Sequence, residues 1–265
     1  MTAKIALRGA TALVTGAGNG IGRATAFALA AEDAHVVVTD VDLAAAEKVV
    51  AEVEEQGGAA TAHQLDVTDA DAVMDLAARV QPVDVVFANA GVGMTGRLAD
   101  MSLEDWRWIR SVNLDGVVHT ALAFGPPMVE RGKGHLVITS SGLGYTPRAT
   151  EPAYCTTKAA VLELAQCLRA DWAPHGVGVS AICPGVINTG ILEGTRFLGD
   201  ATDPAKARTT FARGHDPASV AQDVVRAITK DKALVASGWE AKAGWALHRL
   251  APLRLQQRIA SQELR

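Results

Sequence analysis

The chain has little of what would place it outside the cell, across a membrane or on a nucleic acid. Its 265 residues include three cysteines, an odd number without metal-ligand spacing. That argues against a disulfide scaffold and predicts free thiols in a reducing compartment. The seven histidines show no metal-ligand spacing either, so no metal is expected. They read as surface or cap residues, with His63 and His135, in or beside β-rich runs, fitting a core edge equally well. No apolar run approaches the ~18 residues of a membrane span, and "MTAKIALRGATALVTG" carries no signal pattern. The expected location is cytoplasmic. Basic residues are not in excess: 25 Lys and Arg face 29 Asp and Glu, for a net charge of -4 and a pI near 6.0. No basic surface is left to hold nucleic acid. Internal repeats and low-complexity linkers are missing as well. A hydrophobic content of 49% with 20% charged residues suits a globular chain, long enough to form one large α/β domain over 1–265.

Short β-rich runs alternate with longer helical patterns. The runs are 10–15, 34–40, 59–66, 83–89, 134–140, 176–183 and 233–237, and several are almost continuously apolar, as in "AHVVVTD". Strands buried on both faces read this way. Helical patterns cover 21–31, 42–56, 69–79, 102–122, 152–171 and 216–229. The alternation predicts a doubly wound parallel sheet of about seven strands with helices on both faces. Ligands bind such sheets at the carboxyl ends of the strands, near the topological switch point. Two stretches break the pattern. Residues 186–215 form a long insertion of the kind that serves as a lid or binding loop. Residues 239–265 carry Trp239, Trp245 and several leucines among five Lys and Arg and two Glu.

The stretch "VTGAGNGIGRA", Val14 to Ala24, departs from the spacing G-x-G-x-x-G and reads Thr15-Gly16-x-x-x-Gly20-Ile21-Gly22. A strand ending at Val14-Thr15, a glycine turn and a helix opening near Gly20 bring backbone N–H groups and a positive dipole end together, which suits a pyrophosphate. Gly16 allows the tight turn, Gly20 a close backbone approach, and Gly22 close helix packing. A glycine-rich turn without a ligand is the bland alternative. Asp40 closes the second run, 18 residues past Gly22. That is near the offset at which a carboxylate accepts the ribose hydroxyls of a dinucleotide. No Lys or Arg stands at 17–19 or 39–42 to attract a 2′-phosphate, so the expected cofactor is NAD. Asp40 could instead cap the helix at 42–56, a role open equally to Asp42.

Further motifs follow in order: "NAG" at Asn89-Ala90-Gly91, "SVNLDG" with Asn113, "VITSSGLG" with Ser141, "YCTTK" with Tyr154 and Lys158, and "CPGVINT" with Pro184, Gly185 and Thr189. Together with the glycine turn they resemble the short-chain dehydrogenase/reductase family, over about residues 7–238. The resemblance implies a Rossmann-like fold and a catalytic set of Asn113, Ser141, Tyr154 and Lys158. It implies cofactor contacts from Gly16, Gly18, Asn19, Gly20 and Ile21, from Asp40, Asp66 and Val67, and from Asn89, Ala90 and Gly91. Tyr154, Lys158, Pro184, Gly185, Val186 and Thr189 complete them. Tyr154 and Lys158 are four apart and share one helix face. A close ammonium would lower the phenol pKa from ~10 and make it a better base. Ser141, followed by x-x-Gly, is the serine expected to hold the substrate oxygen, in preference to Ser140. Asn113 is expected to hold a water. Asp66 and Thr68 are alternative caps for the helix at 69–79. The chain departs from the family's commonest pattern at Ala88 and at Cys155, the latter expected to be a packed small residue.

The implied reaction is reversible hydride transfer between a secondary alcohol and a nicotinamide, with Tyr154 carrying the hydroxyl proton. A 3-oxoacyl thioester reductase and a non-catalytic nucleotide-binding regulator are the alternatives. The first usually wants NADPH and a basic patch, and the second has no use for all four catalytic residue types. Gly93, Met94, 143–147 and 187–198 are mostly apolar or small and point to a hydrophobic substrate. The tail is expected to form one or two amphipathic helices broken near Pro252. Trp245, Leu250, Leu253, Leu255 and Ile259 would face a neighbour, in a subunit contact of a homodimer or homotetramer or as a cover for the active site, in preference to an anionic membrane surface.

Overall fold

The computed structural model describes residues 5–200 and 202–261. Seven parallel strands form the main sheet: β1 (Thr11–Thr15), β2 (His35–Asp40), β3 (Ala59–Gln64), β4 (Val85–Ala88), β6 (Gly134–Thr139), β7 (Val177–Pro184) and β9 (Leu234–Ser237). Two shorter strands, β5 (Met94–Thr95) and β8 (Arg196–Phe197), pair separately. The main sheet runs β3-β2-β1-β4-β6-β7-β9. Going outward from β1 to β3 and then back to β4, the chain leaves a crevice between the carboxyl ends of β1 and β4. The glycine turn and the Asn89-Ala90-Gly91 motif both open there.

Successive strand residues feed two different cores, which explains the continuous apolar runs. Leu13, Val86, Leu136 and Ile138 pack on one face with Leu76, Phe124 and Val161. Val14, Val38, Phe87 and Val137 pack on the other with Leu29, Val49, Val224 and Ile228. The helices supplying those side chains are α1 (Gly20–Ala30), α2 (Leu43–Glu55), α3 (Ala70–Val80), α5 (Gly116–Arg131), α6 (Pro152–Trp172) and α8 (Pro217–Thr229).

Helix entries follow the expected chemistry with one correction. Asp42 caps α2 through the N–H groups of Ala44 and Ala45, which leaves Asp40 free of that duty. The cap of α3 is Asp69, bonded to the Ala72 N–H, not Asp66 or Thr68. Asp66 instead accepts from the backbone and hydroxyl of Thr68, shaping the turn one step earlier. The helical pattern at 102–122 also resolves differently. It becomes α4 (Leu103–Arg110), a π turn over Ser111–Asp115, and α5, which passes through Pro126 and Pro127 to Arg131. Gly132, at φ 68°, ends it.

The insertion at 186–215 is closed at its base by a bridge between Ile187 and His215. It carries a 3₁₀ turn at Gly190–Gly194, strand β8 and helix α7 (Pro204–Ala212). β8 runs parallel to β5 and ties the insertion to the loop after β4. A side chain at Gly93 would overlap Thr195, so the two segments meet closely. The tail forms α9 (Trp239–Leu250) and α10 (Leu253–Ala260), separated at Ala251-Pro252. Leu250, Leu253, Leu255 and Ile259 are exposed. Trp245 corrects the expectation, because its ring packs on Tyr145 of the same chain at 5.1 Å. Residues 262–265 of the tail lie outside the described residues. Among the described residues no helix is long and apolar enough to cross a membrane.

His135 is a core residue, 1% exposed. Its Nε2 lies 2.8 Å from the Ser180 hydroxyl, which itself donates to the Lys232 carbonyl. The imidazole is therefore the donor of that pair. Burial holds its pKa down at about 4. An unfolded chain takes up this proton near pH 6.5 and the folded one only near 4. Stability is thus complete above pH 6.5 and falls as the pH drops toward 4, by about 3 kcal/mol. Urea titrations across that range should show the loss, and His135→Gln should flatten the slope.

Candidate active site

The glycine turn is held by what surrounds it. Gly16 has φ 61°, and a Cβ there would lie 2.8 Å from the Ala90 Cα. A side chain at Gly22 would overlap the Gly16 carbonyl oxygen, so close packing of α1 depends on the missing Cβ. The Gly18 N–H donates to Asp40 Oδ2 at 2.8 Å, and Asp40 Oδ1 accepts from the Asp42 N–H. Asp40 is thereby fixed beside the turn. Thr189 packs on Gly20 from the insertion, a Cβ there being 3.1 Å from its side chain. The helices α2, α3, α4, α7 and α8 all start on a side-chain cap. Helix α1 starts at Asn19 with no side-chain cap and no acid in its first turn. α6 and α10 also start without a cap or an acid, but α1 opens directly behind the glycine turn, with the Asp40 carboxylate on the Gly18 N–H to one side, and the residues fit a pyrophosphate.

Asn89 sits beneath the turn. Its Nδ2 donates to the carbonyls of Thr15 at 3.0 Å and Gly16 at 3.2 Å, and its Oδ1 accepts from the Thr139 hydroxyl at 3.1 Å. The Thr15 hydroxyl receives the N–H groups of Asn89 and Ala90. The side chain of Asn89 is spent on holding three strand ends together. Asp66 and Val67 leave β3 beside Asp40, with Leu65 N–H bonded to the Asp40 carbonyl. Val67 packs against Gly116 and its carbonyl meets His119. Pro184 ends β7, the Gly185 N–H is bonded to the Ser237 carbonyl, and the Val186 carbonyl receives the His215 N–H.

Ser141, Tyr154, Lys158 and Asn113 converge at the ends of β4 and β6. Ser140 turns inward and donates to the Lys158 carbonyl at 2.7 Å. Ser141 hydrogen-bonds the Tyr154 phenol, which favours the ionised form, but burial is the larger effect and pushes the phenol pKa up. The nearby Glu151 charge adds to the rise. Lys158 is buried, its Nζ donates to the Thr139 carbonyl at 3.0 Å, and it lies 5.8 Å from the Tyr154 ring centroid. Burial brings its pKa down to about 8. The group whose hydrogen bond favours the phenolate here is Ser141, while the Lys158 ammonium stands behind the ring and is engaged on the Thr139 carbonyl.

Asn113 occupies the π turn and is fully buried. Its Oδ1 accepts from the Val92 N–H at 2.8 Å and its Nδ2 donates to the Val92 carbonyl at 2.9 Å. The side chain also donates, from Nδ2, to the Thr157 hydroxyl at 3.5 Å. Its role is to fix the segment after Gly91, where a Cβ would sit 3.2 Å from Asn113 Oδ1 and 3.4 Å from Lys158 Nζ. The Tyr154 ring packs in an apolar cluster with Val92, Met94, Trp108 and Leu198. Thr139 and Glu151 belong to the site and carry no sequence signal that would have found them. Cys155 is buried, and burial pushes its thiol up to about 11, as packing of a small residue entails.

The doubly wound sheet, the uncapped start of α1 at its crevice and the pairing of Ser141 with Tyr154 form the arrangement that the family resemblance implies. The model of the short chain dehydrogenase family matches residues 10–196, and the chain belongs to that family. EphD of Mycobacterium tuberculosis strain H37Rv, described as an oxidoreductase, is 41% identical over 256 residues. The match covers 92% of this chain and 43% of EphD, so the chain spans less than half the length of that relative. A short-chain dehydrogenase of Burkholderia phymatum in complex with NAD superposes with a TM-score of 0.85 at 27% identity, covering 98% of each chain. A Beutenbergia cavernae structure with NADP at low occupancy, described as an NAD(P)-dependent gluconate 5-dehydrogenase, gives a TM-score of 0.75 at 32% identity. It covers 83% of this chain and 90% of that one.

Removing the Ser141 hydroxyl takes away the hydrogen bond that favours the phenolate. Ser141→Ala should cut turnover by on the order of 10²-fold or more. It should also move the acid limb of the pH profile for alcohol oxidation to higher pH. A steady-state pH profile with the residual activity checks the direction.

Proposed function

We propose that the protein is an NAD-dependent dehydrogenase that interconverts a secondary alcohol and a ketone, acting on a hydrophobic substrate. The observation that carries the cofactor assignment is the Asp40 carboxylate, bonded to the Gly18 N–H at 2.8 Å and fixed beside the phosphate-binding turn. It supplies an acceptor for ribose hydroxyls and repels a 2′-phosphate. The nearby cation Arg23 is paired with Glu52 and stacked over Phe27, which ties its charge to α2. The nicotinamide supplies the hydride acceptor or donor. The chain's own residues handle the proton: Tyr154 takes it from the hydroxyl, Ser141 holds the substrate oxygen, and Lys158 contributes positive potential from behind. The apolar cluster around the Tyr154 ring supports a hydrophobic substrate.

The 265 residues are proposed to form one cytoplasmic catalytic domain. The exposed Leu250, Leu253, Leu255 and Ile259 support a subunit contact in a dimer or tetramer.

Tyr154→Phe should abolish turnover while the cofactor still binds, as measured by fluorescence titration. NAD should be preferred over NADP by roughly 2–4 kcal/mol, about thirtyfold to nearly a thousandfold. Asp40→Ser combined with Val41→Arg should shrink or reverse the ratio of kcat/KM values. Equal efficiency with both cofactors in the wild type would overturn the assignment.

A further inference from the structure

The ten-residue connection from Gly142 to Glu151 joins the catalytic serine to the helix bearing Tyr154 and Lys158. It belongs to no sheet, and its 3₁₀ turn covers only Gly142–Gly144. Ordering such a stretch costs roughly 1–2 kcal/mol of backbone entropy per residue, so something outside it must hold it. Thr150 is tied to β5 by the Gly96 N–H and the Thr95 hydroxyl on its carbonyl, and Gly144 packs on the backbone of Lys158; between these points the holders are the C-terminal helices. Tyr145, which is 3% exposed, donates its phenol to the Ala241 carbonyl at 2.8 Å, and Trp245 meets its ring edge to face at 5.1 Å. A Cβ at Gly142 would rest 3.6 Å from Ala241, and one at Gly244 only 2.9 Å from Thr146. At the far end the Ala149 N–H donates to the carbonyl of Ala260, the last residue of α10, at 3.1 Å. Gln256 bonds α10 back to the carbonyls of His248 and Ala251, so the two helices act as one strap.

The same strap reaches the insertion. Glu240 Oε2 is 2.8 Å from His215 Nε2, and the backbone of His215 clamps the insertion's first residues through Val186 and Asn188. Glu240 is also packed against Gly185, where a Cβ would be 3.0 Å from its carboxylate. One element therefore touches the serine turn, the approach to the tyrosine and the base of the insertion.

We infer that α9 and α10 are a positioning element of the active site, with Tyr145, Trp245 and the Glu240–His215 pair as the residues that set the Ser141–Tyr154 geometry. For its kinetic consequence the inference rests on the proposed dehydrogenase activity; for its mechanical content it does not. Trp245 touches no reacting atom and acts through Tyr145. Misplacement of a reacting group by about 1 Å can cost on the order of 10²-fold in rate.

The test uses full-length protein with Trp245→Ala, the milder Tyr145→Phe, and Trp245→Phe as the conservative control. Hydrogen exchange followed by mass spectrometry should show amides of 142–149 exchanging tenfold faster or more in Trp245→Ala. Those of 11–30, in β1, the glycine turn and α1, should stay as in the wild type, and Trp245→Phe should restore protection. With NAD and a panel of secondary alcohols, kcat should fall at least tenfold, while cofactor affinity is unchanged and the acid limb moves to higher pH. Tyr145→Phe should shift both readouts in the same direction by less. Unchanged exchange at 142–149, loosening spread equally over 11–30, or local loosening with kcat unaltered would each overturn the inference. A wild type without nicotinamide-dependent turnover would overturn the proposed activity instead, and the exchange measurement would still decide whether the strap holds the connection.

Discussion

Three side chains at the carboxyl ends of adjacent strands tie the whole site together: Thr15 of β1, Asn89 after β4 and Thr139 of β6. Asn89 donates to the carbonyls of Thr15 and Gly16 and accepts from the Thr139 hydroxyl. The Thr139 carbonyl in turn accepts the ammonium of Lys158. The glycine turn and Lys158 are thus two ends of one hydrogen-bond chain, crossing the sheet at its switch point. Because its members are wholly or largely buried, an unpaired partner in it is costly, which keeps the geometry singular.

Burial sets the electrostatics around this chain. It raises the phenol of Tyr154 and lowers the ammonium of Lys158 to about 8, so it disfavours the charged form of both. The pair is pre-positioned more than pre-ionised. Ser141 is the group that offsets the rise on the phenol, and it stands where the end of β6 gives way to the connection braced by the C-terminal helices. For the proposed activity, the Ser141–Tyr154 geometry therefore depends on how the C-terminal helices seat that connection against the core.

Local chemistry was readable wherever a pattern repeats or a cap is required. The main strands follow their β-rich runs, β7 reaching one residue further to Pro184, and the central ones are almost continuously apolar because both faces are covered, while the break at Pro252 follows from its missing N–H. Asp66, Thr68 and Asp69 are all cap-competent and lie within four residues, so residue type and spacing do not single out Asp69 as the α3 cap. Helix α5 continued past the expected end because tertiary contacts carry it: a side chain at Gly125 would overlap Trp172 of α6. β5 and β8 have two residues each, too few to show a period. Trp245 reads as an exposed apolar residue until Tyr145, a hundred positions away, is placed beneath it.

From the sequence alone came the doubly wound order of elements, the glycine turn with Asp40 at the end of the second strand, and the tyrosine and lysine on one helix face. Each is a matter of spacing within about twenty residues, over which backbone periodicity transmits position. Tertiary structure alone decided that Asn113 spends its side chain on Val92, and that Lys158 rests on the Thr139 carbonyl. It also decided that the ring of Tyr145 is roofed by the C-terminal helix. Those pairings join residues 19 to 100 positions apart, and which partner a buried polar or aromatic group finds depends on packing around the sheet, which no local pattern encodes.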